Sequence, residues 1–245
     1  MLRSIRRRPD AGRHEALVDR RGHKRPPVTL PGHRAGQRPP NYGRKFPAEV
    51  LSADEISRLL AACPRRGPSG LRNRALIVVL WRGGLRCAEA LDLEPRDINE
   101  AEGTVLVREG KGRRRRVIGL DPPAFAVLQR WLECRARLGV PRGKKVFCTI
   151  TTGNIGRPMS ASYWREAIKR LGGKAGIEKR VHSHGLRHTH ATELRREGTD
   201  VMIIRDQLGH SSIGVTQRYL EHLEPREVVE AMQRREWPLH ADPLR

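Results

Sequence analysis

The sequence predicts a mainly α-helical domain with a small antiparallel β-sheet, an α+β arrangement. Three observations predict it. Apolar residues recur at helical spacing over most of the chain after residue 50. Two short runs, 103–108 and 115–120, break that period, are rich in Val, Leu and Ile, and flank a turn at 109–114 with glycines at 110 and 112. Residues 1–50 carry no sustained period of either kind.

The elements follow in order. Ser52-Ala53-Asp54-Glu55 reads as a capping box, in which Ser52 and Glu55 satisfy the first orphan N–H groups of a helix through Ile56, Leu59 and Leu60. A second helix is predicted from about Leu71 to Trp81, with Leu71, Ala75, Leu76, Val79 and Leu80 inward. Gly83-Gly84 stops it, and a short helix is expected over Leu85–Leu91. After the two strands, Asp121-Pro122-Pro123 starts a helix running to about Leu138. From Ser160 the pattern is almost all helical: 160–171, 183–197, 200–208 and 213–222. Asp200 is the N-cap of the third of these, and Gly198 the stop before it. Pro225 opens a last amphipathic helix over 225–236, with Val228, Val229 and Met232 on one face.

Residues 1–47 read differently. The first 50 residues hold 13 Lys and Arg against 4 Asp and Glu, seven of the 17 prolines and 14 apolar residues. Such a segment buries too little surface to offset its ordering entropy, so a basic, disordered arm is expected. Residues 48–224 are the predicted domain and 225–245 a tail. No secretory leader is visible in residues 1–20, and no apolar run approaches the about 20 residues of a membrane helix. Cys63, Cys87, Cys134 and Cys148 form no C-x-x-C pair, which suggests reduced core thiols in a cytosolic protein.

The charge points to a partner. With 49 Lys and Arg against 27 Asp and Glu, the chain carries +22. That excess repels itself unless a polyanion neutralises it, and nucleic acid is the first candidate.

Four motifs could carry chemistry. Gly83-Gly84-Leu85-Arg86-Cys87-Ala88-Glu89-Ala90-Leu91 puts Arg86 where a glycine turn enters a helix. Gly110-Lys111-Gly112 puts a lysine on a hairpin turn, and the run Arg113–Arg116 after it reads as a solvated or phosphate-facing basic edge. Ser183-His184-Gly185-Leu186-Arg187-His188 puts His184 and Arg187 on one helix face. Leu208-Gly209-His210 precedes Tyr219, one of only three tyrosines. Taken singly, each has a plain alternative: a surface arginine, a polar hairpin tip, a helix-end histidine, a packed tyrosine. The pair His184 and His188, four apart, also raises a zinc site. The zinc proteases with that spacing need a glutamate right after the first histidine, and Gly185 stands there.

Together the motifs resemble the tyrosine recombinase, or phage integrase, family. Its pattern is an arginine in G-L-R-x-x-E-x-L, a hairpin lysine, H-x-x-R, L-G-H and a tyrosine. Here Arg86, Lys111, His184, Arg187, His210 and Tyr219 occur in that order, with Lys111 25 residues after Arg86, His210 23 after Arg187 and Tyr219 nine after His210.

The resemblance implies a site-specific recombinase or integrase with the tyrosine recombinase catalytic fold. Tyr219 would attack a DNA phosphate and form a 3′-phosphotyrosyl ester. Arg86 and Arg187 would neutralise the transition state, Lys111 would protonate the leaving 5′-oxygen, His184 would help deprotonate Tyr219, and His210 would bond the phosphate. It implies no metal, ATP or other cofactor. The partners implied are double-stranded DNA and further copies of the chain, as a tetramer on paired sites, with location at the nucleoid and no membrane. The tail 225–245 would link protomers. Residues 1–50 are too short and too polar to be the N-terminal helical clamp common in the family. A type IB topoisomerase, a DNA-binding remnant and a zinc hydrolase stay open as alternatives.

Overall fold

Ser52 opens the first helix, α1 (Ala53–Ala62), through both halves of the capping box. The structure, a computed structural model, describes residues 49–108 and 115–209. Helix α2 (Pro68–Arg82) begins three residues before the predicted start. Pro68 is its first residue, where a fixed φ suits the helix and the missing N–H costs nothing. Helix α2 is buried almost all round, from Ala75 to Leu80, and it packs on α4 (Pro122–Arg137) and α6 (Ser183–Arg196). The short helix α3 spans Cys87–Asp92 rather than starting at Leu85, because Gly84 is left-handed at φ +61° and Arg86 is extended as the N-cap.

The sheet has three antiparallel strands in the order β1-β2-β3: β1 (Ile98–Asn99), β2 (Thr104–Val107) and β3 (Arg116–Gly119). Val105 pairs with Ile118, and both are fully buried. Strand β1 was not expected from the sequence. It is two residues long and exists by pairing with β2, so it has no period of its own to read.

Helix α5 (Ala161–Lys174) packs on α1 and α3, and α7 (Val201–Leu208) packs on β3 and α6. Asp121, Ser160 and Asp200 each cap a helix through the side-chain oxygen. The core holds Trp131 and Trp164 at its centre, with Ile56, Leu59, Leu76 and Leu128. Between α4 and α5 the chain has no helix or longer strand. It is held by the buried Arg135, whose guanidinium donates to the carbonyls of Lys145, Val140, Pro141 and Lys144. Cys63, Cys134 and Cys148 are buried thiols, and burial pushes the Cys63 thiol up to about 11. No helix of the described residues is long and apolar enough to cross a membrane. The helices expected at 213–222 and 225–236 lie outside the described residues, as does the segment 1–48.

Candidate active site

Helix α6 starts at His182, whose ring Nδ1 accepts from the Gly185 N–H. That cap sets the first turn, so His184, Arg187 and His188 line one side of α6 as their spacing predicts. Arg187 is only 1% exposed. One terminal nitrogen of its guanidinium donates to the carbonyl of Gly84, the other to the carbonyl of Leu208 at 2.7 Å. A buried, permanently charged guanidinium is tolerable only when such acceptors replace water. Arg187 thereby ties the turn before Arg86 to the end of the helix before His210.

Gly84 has to be a glycine here. Its φ is +61°, and a Cβ would lie 2.5 Å from Cδ2 of His190 and 2.8 Å from Cδ2 of Leu208. The turn carries the chain into Arg86, about one third exposed, which faces a cavity of about 470 Å³. His184, Arg187, His182, Arg165 and Arg180 line the same cavity, with Trp164 and Cys87 in its wall. Two sequence-predicted arginines and one histidine therefore meet at one concave surface. Lys111, His210 and Tyr219 lie outside the described residues.

The histidines are held neutral. Burial, then the charge of Arg187, lowers the pKa of His184. Burial and His184 bring His188 down to about 4, and burial does the same for His190. The rings of His184 and His188 meet edge to face, with centroids 4.4 Å apart. At neutral pH an uncharged His184 can accept a proton. Among the described residues, no group of three or more His, Cys, Asp or Glu is placed to hold a metal ion.

One residue departs from its sequence reading. The sequence reading places Arg116 on a solvated or phosphate-facing basic edge, yet its side chain is only 11% exposed. It grips Glu89 with both terminal nitrogens, at 3.1 and 2.7 Å, and its Nε donates to the carbonyl of Gln207. The cause is strand alternation: Arg116 shares a face with the buried Ile118, while Val117 points out. A period of two applied to the basic run would have found it. Arg113 and Arg114 lie outside the described residues. Glu89 was also missed as a partner. It is 6% exposed, and Arg86 bonds it through Nη1 at 2.8 Å and through its backbone N–H at 2.9 Å. Burial pushes the Glu89 carboxyl up, but bonds from Arg116 and Arg86 outweigh it and hold it at about 2.

The family model described as "Phage integrase family" matches residues 49–226. The tyrosine recombinase XerC of Xanthomonas axonopodis pv. citri is 37% identical over 190 residues, which cover 78% of this chain and 59% of that protein. The crystal structure of XerA recombinase superposes with a TM-score of 0.65 at 31% identity, covering 79% of this chain and 68% of that one. XerH site-specific recombinase, bound to palindromic difH substrate in a post-cleavage complex, gives 0.61 at 26% identity, covering 76% and 53%. The chain spans between about half and two thirds of the length of the curated relatives it matches.

Proposed function

The chain belongs to the phage integrase family, and on that premise we propose that it is the catalytic part of a site-specific DNA recombinase that breaks and rejoins strands through Tyr219. The observation that carries this reading is the convergence of Arg86, His184 and Arg187, from two separate segments, on one cavity.

The chemistry follows from the residue types. Tyr219 attacks the scissile phosphate in line, forms a 3′-phosphotyrosyl ester and expels a 5′-hydroxyl. The ester conserves the energy of the broken bond, so resealing needs no ATP. Charge grows on the non-bridging oxygens in the transition state. Many phosphoryl-transfer enzymes meet it with Mg²⁺. Two guanidiniums can do the same, each binding two oxygens and never losing its proton. His184, neutral at pH 7, accepts the proton of Tyr219, whose ordinary pKa is near ~10. Lys111 gives a proton to the leaving oxygen, and His210 adds a hydrogen bond to the phosphate. A 5′-hydroxyl from a second duplex then reverses the attack and completes exchange.

The partner under this reading is duplex DNA. The net charge of +22 supports it, as does the XerH structure solved with its DNA substrate. We assign residues 48–224 to catalysis and 225–245 to linking protomers of a tetramer on paired sites, with 1–47 as a basic arm. The recombinase names of the relatives favour strand exchange over supercoil relaxation. The test is incubation with a nicked suicide substrate carrying the native flanking DNA. A covalent protein–DNA adduct is expected from the wild type and none from Tyr219→Phe, at nearly equal DNA affinity. An adduct with the Phe variant would overturn the assignment.

A further inference from the structure

We propose that Arg116 is a positioning residue that keeps Arg86 available to the DNA phosphate by occupying Glu89. This rests on the reading of Arg86 as a phosphate ligand. Glu89 has about four lone-pair directions, and each meets one donor. Oε1 accepts from Nη1 of Arg86 at 2.8 Å and from Nη1 of Arg116 at 3.1 Å. Oε2 accepts from the Arg86 backbone N–H at 2.9 Å and from Nη2 of Arg116 at 2.7 Å.

The consequence is electrostatic. Glu89 stays ionised, so one buried negative charge sits against two positive ones. The trio carries a net +1, and Arg86, the more exposed of the two arginines, presents it to the cavity. Without Arg116, both Glu89 oxygens open to Arg86. Arginine favours the bidentate fork with a carboxylate, so Arg86 would close on Glu89 as a neutral pair. The phosphate would then face a quenched guanidinium. Arg116 is itself anchored from the far side. Its Nε donates to the Gln207 carbonyl at 3.2 Å, and the Gln207 side-chain amide bonds both the N–H and the carbonyl of Gly119 on β3. A Cβ on Gly209 would press on the Arg116 guanidinium at 2.8 Å, so Arg116 lies against the helix end without slack. Strand β3, the Arg86 turn and the end of α7 are thus fixed around one carboxylate.

The test compares cleavage of two suicide substrates by the full chain. One has an ordinary scissile phosphate. The other has a methylphosphonate there, which removes the non-bridging charge the arginines neutralise. Arg116→Met should cleave ordinary DNA about 10- to 100-fold more slowly than wild type, less than the loss from removing a direct donor. On the methylphosphonate it should match wild type within about threefold. Adding Glu89→Gln to Arg116→Met should restore cleavage of ordinary DNA, because an uncharged amide no longer captures Arg86. An equal defect on both substrates, or no recovery in the double variant, would make Arg116 a structural prop and overturn the proposal. If Arg116→Met does not fold, Arg116→Lys serves instead. It keeps the charge without the fork, and a partial defect confined to ordinary DNA is expected, a defect on both substrates being the contrary result. Arg86→Ala run in parallel separates the two levels. If it too shows no recovery on the methylphosphonate, the reading of Arg86 fails, whatever Arg116 does.

Discussion

Arg187 donates a hydrogen bond to the carbonyl oxygen of Gly84 across 103 residues of sequence. The bond lies in the interior, and the turn it holds leads two residues later to Arg86. The position of one arginine is therefore set by the other.

Gly84→Ala should damage both. An alanine at φ +61° costs about 1–2 kcal/mol in backbone strain, and its methyl would overlap His190 and Leu208. We expect about 3 kcal/mol of lost stability in all and at least a tenfold slower adduct formation. Urea unfolding and the suicide-substrate assay measure the two. A variant as stable and active as wild type would mean the turn relaxes without cost.

His190 gives a pH prediction. It is 3% exposed, both ring nitrogens lack a hydrogen-bond partner among the described residues, and burial brings it to about 4. A folded-state pKa below the unfolded one means the unfolded chain binds the proton first as pH falls. Stability is therefore full above about pH 6.5, declines toward pH 4, and loses about 3 kcal/mol from this group. His190→Phe replaces the ring with one of similar size that cannot titrate. Its unfolding free energy should fall less between pH 7.5 and 4.5 than that of the wild type, with His188 supplying part of the remaining slope. Equal slopes would show that His190 does not drive the acid loss.

Arg135 should matter for stability and little for chemistry. Its guanidinium serves four carbonyls in the segment after α4, and it is 3% exposed. Arg135→Ala would leave those acceptors without their donor, at a cost of about 3 kcal/mol. Lysine keeps the charge but has no planar fork, so Arg135→Lys should recover less than half. Denaturant midpoints of the three proteins decide it, and a lysine variant as stable as wild type would refute the role of the fork.

Lys111 can be tested through the leaving group. Lys111→Ala should cut ordinary DNA slowly and recover on DNA whose 5′-bridging oxygen is sulfur, because a thiolate leaves without a proton. An equal defect on both substrates would mean that Lys111 binds or positions DNA only.

The sequence by itself determined the helices with local caps, at Ser52, Asp121, Ser160 and Asp200, and the two strands, rich in Val, Leu and Ile, that flank a glycine turn. These signals lie within a few residues of what they specify. It also determined the family, since six polar residues in a fixed order need no coordinates to be read. The tertiary structure alone decided that Arg187 is buried against two carbonyls, that Arg135 serves four, that Arg116 turns inward to Glu89, and that Ile98–Asn99 is a strand. Arg187 and Arg116 take partners 21 to 103 residues away, whereas Arg135 takes carbonyls 5 to 10 residues on, in the chain that turns back after α4. The residue letters are the same for a solvated arginine and a buried one. The environment that distinguishes them is assembled only when the chain folds.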